Sequence, residues 1–506
     1  MYPGAHAEST PDKPAAILAE SGRVLTYREL DDRSAKLARA LHDAGLRPGD
    51  VIAMLSDNAL ECFEIYWAAL RSGLYITAVN RHLVAAEVAY IVEDSDAKIV
   101  LASAGVSELA RALVERVPGV QRWVAFGGAI DGYESYETLL DAAGSRLAEQ
   151  PRGSDMLYSS GTTGLPKGIK PPLPGISVDQ PGDPLTAVAG KVFQINPADV
   201  YLSPAPIYHA APLRWCGVVH AYGGTVVLME KFDAEAALAA IEKFGVTVTQ
   251  MVPTMFVRML QLPAEARHLF DVSSLRLAVH AAAPCPPDVK RAMIDWWGPV
   301  LAEYYGATEG NGLSVIFTPE WLDRPGSVGR SMLGSVHICD DEGKELRAGE
   351  IGNVYFEREV LPFEYHKDPA KTAEAQHPVY PTWTAIGDLG YVDAQGYLFL
   401  SDRKSFVIIS GGVNIYPQEI ENVLALHPAI FDVAVIGVRD EVMGQQVKAV
   451  VQLNPGVARD DALAEEIIEY VRDRIAKYKA PKSVEFVDVL PRTATGKLVK
   501  RHVSVR

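Results

Sequence analysis

Ten residues carry the first chemical signal. From Ser159 to Gly168 the chain reads SSGTTGLPKG, with three Gly, two Ser, two Thr and one Lys. Glycines let a backbone approach an anion closely, and successive N–H groups make an anion-binding concavity. Thr162 and Thr163 add hydroxyl donors, and Lys167 adds a mobile point charge. The stretch reads as a phosphate cradle in which Ser159, Ser160, Gly161, Thr162, Thr163, Gly164 and Lys167 face an anion. A flexible linker needs neither a Lys at a fixed offset nor Pro166 beside it. The order of residues is not that of a P-loop, which sets Lys before Ser/Thr and opens a helix. Here Pro171, Pro172 and Pro174 forbid an immediate helix, so the loop itself must hold the phosphates.

Four other stretches combine with it. In 303-EYYGATEG-310, Tyr305 can stack on a purine, Thr308 can bond a phosphate, and Glu309 can hold Mg²⁺, which favours oxygen ligands. In 386-IGDLGYVD-393, Asp388 is expected in a tight turn, where its carboxylate suits a ribose diol. The segment 402-DRKSFVIISGGVNIYPQEIE-421 opens on a charged pair and contains a Gly-Gly turn before a helix start. Near the end, 490-LPRTATGKLVK-500 places Lys497 on a glycine-containing loop.

The elements that must position these residues alternate. Residues 27–45 place Leu30, Leu37, Ala38 and Leu41 on one helical face, with Gly45 as a C-terminal stop. Strands are expected at 50–55, 73–79 and 98–103, with helices at 60–72 and 84–94 between them. After the glycine-rich loop, strands at 201–206, 224–229, 246–252 and 275–282 enclose a helix at 233–244 and a further one. This rhythm predicts an α/β fold with a largely parallel sheet. From about residue 325 the pattern changes to short strands with hairpin signals at Asp341–Gly343 and Ala394–Gly396. We expect a large domain over 1–402, including a β-rich subdomain, and a small α+β domain over 403–506.

The bulk numbers exclude several classes. With 506 residues and 48% hydrophobic content the chain can bury more than one core. No 18-residue apolar run occurs, and the first residues, MYPGAHAESTPDKPA, lack the pattern of a signal peptide. Cys62, Cys216, Cys285 and Cys339 are scattered without CxxC spacing, which argues against a zinc site or a disulfide framework and for reduced cytoplasmic thiols. The net charge of −16 disfavours nucleic acid as a partner. The charge is uneven, with 15 Lys/Arg against 13 Asp/Glu from Arg403 onward.

Taken in order, SSGTTGLPKG, PIYH, YGATEG, IGDLG, DRKSFVIISGG and PRTATGK resemble the motifs of the adenylate-forming superfamily of acyl-CoA synthetases, luciferases and peptide-synthetase adenylation domains. HAAAPCP, WWGP and SGGVNIYPQEIE look most like its bacterial acyl-CoA synthetase branch. The resemblance implies a two-step reaction. A carboxylate attacks the α-phosphate of ATP, giving acyl-adenylate and pyrophosphate, and the CoA thiol then displaces AMP.

By that resemblance, Ser160 to Lys167 hold the β- and γ-phosphates, and Thr308 and Glu309 hold the α-phosphate and Mg²⁺. Ala282, Ala283, Glu303, Tyr304, Tyr305 and Gly306 line the nucleotide site, and Asp388 and Arg403 grip the ribose. His209 sits beside the acyl carboxylate, and Lys497 bridges carboxylate and α-phosphate. The small domain swings about a hinge at 403–406, which brings Gly411 and Gly412 to CoA. The partners implied are a small-molecule carboxylic acid, ATP and CoA, and a homodimer is compatible with them.

Departures from the family pattern are also legible. Ser405 and Phe406 replace a hinge acid or Lys and the Asp after it, and Ile386 replaces a Thr. Ala281-Ala282-Ala283 stands where Gly-Gly-Ala is usual, and KPPLPG replaces a polar loop exit. Candidate walls for the acyl pocket are Trp215, Val219, Val252, Met255, Phe256 and Met259, although residues of these types are more often plain core. The branch points to long-chain or polycyclic, sterol- or terpenoid-like acids. An amino-acid-activating domain is a competing reading, opposed by the lack of any acid between Thr249 and Leu262 and of a carrier domain downstream. An oxygen-using luciferase and a specialist in one half-reaction complete the alternatives.

Overall fold

The computed structural model describes residues 1–159, 165–181, 184–492 and 498–503, without the side chains of Leu185 and Arg501. Two sheets dominate. A six-stranded sheet is parallel throughout and contains Val51–Leu55, Tyr75–Val79 and Ala97–Ser103. The first two of these strands are buried at every residue, as parallel strands covered on both faces must be. A larger 14-stranded sheet begins with parallel strands. Pro14–Leu18, Thr225–Leu228, Val200–Ser203, Val248–Met251, Leu277–His280 and Leu301–Gly306 are neighbours in that spatial order. It then turns antiparallel through Leu313–Phe317 and Ser327–Leu333 and continues to the hairpin Asp388–Val392/Leu398–Arg403.

The helices follow their sequence signals. Helix Tyr27–Asp43 starts at Thr26, whose hydroxyl accepts from the Glu29 amide while Glu29 reaches back to the Thr26 amide. Helix Glu61–Leu70 is buried on all sides, because it lies within the main core with the first helix packed on it. Helix Ala234–Phe244 starts on the Asp233 side chain and stops at Gly245, whose φ of +59° is the left-handed cap. As expected, no helix follows the glycine-rich stretch directly. Lys167–Lys170 is a strand, the prolines run on without regular structure, and helix Pro184–Phe193 comes later.

A separate five-stranded sheet spans Ile408 to Val487, with helices Pro417–Leu424 and Asp461–Arg472 and its own hydrophobic cluster. Polar contacts join it to the larger body. Asp402 accepts from the Gln418 amide at 3.1 Å, and Lys404 pairs with Asp341 at 2.6 Å.

Two local expectations change. The Asp341–Gly343 turn forms, but the strand before it pairs mainly with Gly352–Glu357 and meets the residues after the turn through a Cys339–Glu345 bridge and a His337–Glu345 side-chain contact. Asp388 is not a turn residue. Gly387, at φ +89°, makes the turn, and Asp388 begins a strand opposite Arg403. All four cysteines are free, and among the described residues no helix is long and apolar enough to cross a membrane.

Candidate active site

One cavity of about 1450 Å³ runs between the two sheets and the C-terminal unit. Its walls include Ser159, Lys167, His209, Thr308, Glu309, Asp388 and Arg403. Ala282, Ala283, Glu303, Tyr304, Tyr305 and Gly306 line the same space. Thus every described residue assigned to nucleotide or acid meets here, although they come from positions far apart in the chain. Ser160, Gly161, Thr162, Thr163, Gly164 and Lys497 lie outside the described residues. Gly411 and Gly412 do not line the cavity. They make the turn between Ile408–Ser410 and Val413–Ile415, and the Gly411 amide donates to the Met443 carbonyl at 2.8 Å.

The geometry around Asp388 is that of a prepared acceptor. Tyr305 Oη donates to Asp388 Oδ2 at 2.6 Å, and Arg403 Nε sits 3.1 Å from Oδ1. Burial, and then the carboxylate charge, push the Tyr305 phenol far up, so it stays a neutral donor. Glu309 Oε1 accepts from Tyr365 Oη at 3.0 Å, which fixes that carboxylate. The Lys167 ammonium lies 5.6 Å over the Tyr365 ring and 3.9 Å from Asp368. His209 stands at the N-terminal boundary of helix Ala210–Ala221, its ring 4.4 Å from that of Tyr208.

Glu309 fits a Mg²⁺ ion only in company. Among the described residues no group of three His, Cys, Asp or Glu side chains could enclose a metal. One carboxylate with phosphate oxygens and water is the usual way Mg²⁺ is held beside a nucleotide.

Behind the nucleotide floor lies a buried charge pair. Lys290 donates to Glu303 Oε2 at 2.7 Å, and His280 lies 3.6 Å from the same oxygen. Burial keeps His280 neutral, and the Lys290 charge adds to that effect. Burial also raises the Glu303 carboxyl, against the opposing pull of Lys290. The floor carries strain as well, since Ala282 adopts φ +73°, a left-handed backbone that alanine enters at a cost.

The apolar arm differs from the sequence reading. Trp215 and Val252 line it as expected, while Val219, Met255, Phe256 and Met259 point into the cores and do not. The amphipathic helix Pro253–Leu260 packs its Met and Phe side inward and presents Thr254, Val257 and Arg258 to the cavity, followed by Gln261. Phe193 and Tyr201 pack on Trp215 with ring centres 5.3 and 5.9 Å away. Pro171, Pro172, Leu173 and Pro174 close the arm from outside, held by Tyr75 Oη donating to the Pro171 carbonyl at 2.7 Å.

Sequence reasoning also missed Tyr365, Arg214 and Asp155. None lies in a quoted motif with a chemical signature, and only folding brings them to Glu309 and Thr308.

A fold with a doubly layered α/β body, a small appended α+β unit and this constellation between them defines an adenylate-forming enzyme. The chain matches the AMP-binding enzyme family over residues 4–361 and the AMP-binding enzyme C-terminal domain over 419–497. It belongs to that family and is an acid–thiol ligase. It is 32% identical to a fatty acid–[acyl-carrier-protein] ligase, ScoC, of Streptomyces coeruleorubidus, over 99% of this chain and 95% of that one. It is 33% identical to a feruloyl-CoA synthase of an Amycolatopsis species, over 97% and 96%. Among solved structures it is similar to the anthranilate CoA ligase AuaEII in complex with anthranoyl-AMP. The TM-score is 0.83 and the identity 26%, over 99% of this chain and 95% of that one.

Proposed function

We propose that this chain converts a bulky apolar carboxylic acid, long-chain or polycyclic, to its CoA thioester through an acyl-adenylate. The observation that carries the reading is the shared cavity. The residues read as holding phosphate and ribose line the same cavity as His209 and the apolar Phe193, Trp215, Val218 and Val252. The acid carboxylate would meet the α-phosphate near Thr308, with Asp388 and Arg403 on the ribose and Lys497 delivered from the C-terminal unit. Mg²⁺ would be held by Glu309 and phosphate oxygens, where it neutralises phosphate charge. The remaining catalysis is positioning and electrostatic stabilisation. We place the domain boundary at 402/403 and the hinge at 403–406. The separate core of the sheet between Ile408 and Val487 supports that division. The second pose would bring Gly411 and Gly412 to CoA, and the protein would act in the cytoplasm.

A half-reaction specialist is the second reading. Ala282 at φ +73° in the nucleotide floor and Phe406 at the hinge, with Lys500 5.3 Å over its ring, both bear on adenylation and domain rotation. An α-amino acid is disfavoured, because the helix face Thr254, Val257 and Arg258 offers the amine no carboxylate.

The test is incubation with ATP, Mg²⁺ and fatty, aryl, sterol and terpenoid acids, with CoA or a phosphopantetheinyl carrier protein as acceptor. Pyrophosphate and thioester are measured separately. Both signals with CoA and a bulky apolar acid support the proposal. Thioester only from supplied acyl-adenylate selects the second reading, and turnover only with carrier protein refutes CoA as the acceptor.

A further inference from the structure

Arg214 joins three parts of the site through one side chain. It lies on helix Ala210–Ala221, the helix that His209 begins, and its side chain is 19% exposed in the cavity wall. Its Nε donates to Asp155 Oδ2 at 2.7 Å and its Nη2 to Oδ1 at 3.4 Å. Both Nη atoms also donate to the Thr308 carbonyl at 3.2 Å. Asp155 is buried and sits in the short strand Ser154–Asp155, just before the strand that ends at Ser159. Thr308 lies in the loop that follows Leu301–Gly306 and immediately precedes Glu309.

The fork therefore ties the root of the phosphate loop to the loop carrying Thr308 and Glu309. A planar guanidinium can bond a carboxylate on one edge and a carbonyl on another at once, and an ammonium supplies only a point charge. Asp155 is too buried to be left without its cation cheaply. The helix that carries Arg214 also supplies Trp215 and Val218 to the acyl arm. One helix thus presents Arg214, Trp215 and Val218 to the same cavity, and Arg214 and Val218, four residues apart, share a face.

We propose that Arg214 is a positioning residue for adenylation. It sets the spacing between the segment 155–159 and the Thr308–Glu309 pair, and it links that spacing to the packing of Trp215 and Val218 on its own helix. The proposal rests on the reading of Thr308 and Glu309 as nucleotide ligands. It acts through the Thr308 carbonyl and the Asp155 carboxylate, and it asks for no contact between Arg214 and substrate.

Full-length Arg214→Gln, Arg214→Lys, Asp155→Asn and Glu309→Gln variants test it. For each, the KM values for ATP, acid and CoA, the rate of pyrophosphate release and the melting temperature are measured. Arg214→Gln and Asp155→Asn should each raise the ATP KM and cut pyrophosphate release, by about tenfold to a hundredfold in kcat/KM, with the CoA KM unchanged. Arg214→Lys keeps a charge against Asp155 and cannot make the fork. It should recover the melting temperature without recovering the ATP KM. Joint recovery of both by the Lys variant would reduce Arg214 to a stabilising ion pair and overturn the proposal. So would an ATP KM within twofold of the parent in Arg214→Gln, provided Glu309→Gln raises it. If Glu309→Gln also leaves the ATP KM unchanged, the underlying reading of the nucleotide site fails, and this inference fails with it.

Discussion

Lys290 is 0% exposed and Glu303 only 9%, and their 2.7 Å contact props the strand that ends in Tyr304, Tyr305 and Gly306. Replacing Lys290 by Met keeps the volume under Trp321, whose ring lies 4.8 Å from the ammonium, and strands Glu303 in a dry site. Breaking a buried pair from one side costs about 3–5 kcal/mol, because the remaining charge is left uncompensated. Unfolding entropy of about 2.1 cal/mol/K per residue, over a cooperative unit of roughly 400 residues, converts this to a melting-temperature loss of about 4–6 °C.

The loss should also depend on pH, with a fixed sign. Burial already raises the Glu303 carboxyl above its ordinary value in the folded protein. Without Lys290 it rises further. The unfolded chain releases its proton near the ordinary value while the folded variant keeps it, so stability falls as pH rises between the two. Each unit of added separation is worth about 1.4 kcal/mol. Lys290→Met should therefore be penalised more at pH 8 than at pH 5.5. Lys290→Met/Glu303→Gln, with no buried charge left, should recover most of the loss at pH 8. Scanning calorimetry at the two pH values decides the matter. A pH-independent loss, or a double variant less stable than the single one, would show that packing, and not an uncompensated carboxylate, governs this floor.

Three further outcomes are expected. Asp388→Ala removes the acceptor shared by Tyr305 and Arg403 and should weaken ATP binding by about tenfold to a hundredfold; unchanged affinity in a titration would remove Asp388 from the site. Lys497→Ala should cripple pyrophosphate release and leave thioester formation from supplied acyl-adenylate largely intact, and equal loss of both steps contradicts its assigned role. Ala282→Gly trades a left-handed strain of about 1–2 kcal/mol for about 0.4–1 kcal/mol of unfolded-state entropy. The variant should melt at or slightly above the parent temperature, and a clear loss on calorimetry refutes the strain.

The contiguous motifs were legible because each packs several chemical groups into one loop. The strand–helix rhythm was legible because parallel strands buried on both faces are runs of apolar residues, as in Val51–Leu55. The turn at Asp388 was misread for a local reason. Gly387 already supplies the left-handed residue, which frees Asp388 to start a strand and face Arg403 across the hairpin. Met255, Phe256 and Met259 were offered as pocket walls on apolarity alone. On an amphipathic helix the apolar side belongs to the core, so the mixed face with Thr254, Val257 and Arg258 is the one that lines the cavity.

Arg214 and Tyr365 were illegible for a different reason. Each bonds a motif residue that is distant in sequence, Thr308 and Glu309 respectively, and neither belongs to one of the quoted motifs, although Arg214 lies on the helix that follows PIYH. Periodicity finds what a residue shares with its neighbours on one element, and a hydrogen bond between elements leaves no period. Yet these contacts link Thr308 and Glu309 to elements far away in the chain. A chain that kept every motif and lost Arg214 would show the same motifs without the bonds from Arg214 to Asp155 and to the Thr308 carbonyl. Of the departures, Ala282 stands out by its left-handed φ of +73° and Phe406 by lining the same cavity as the motif residues.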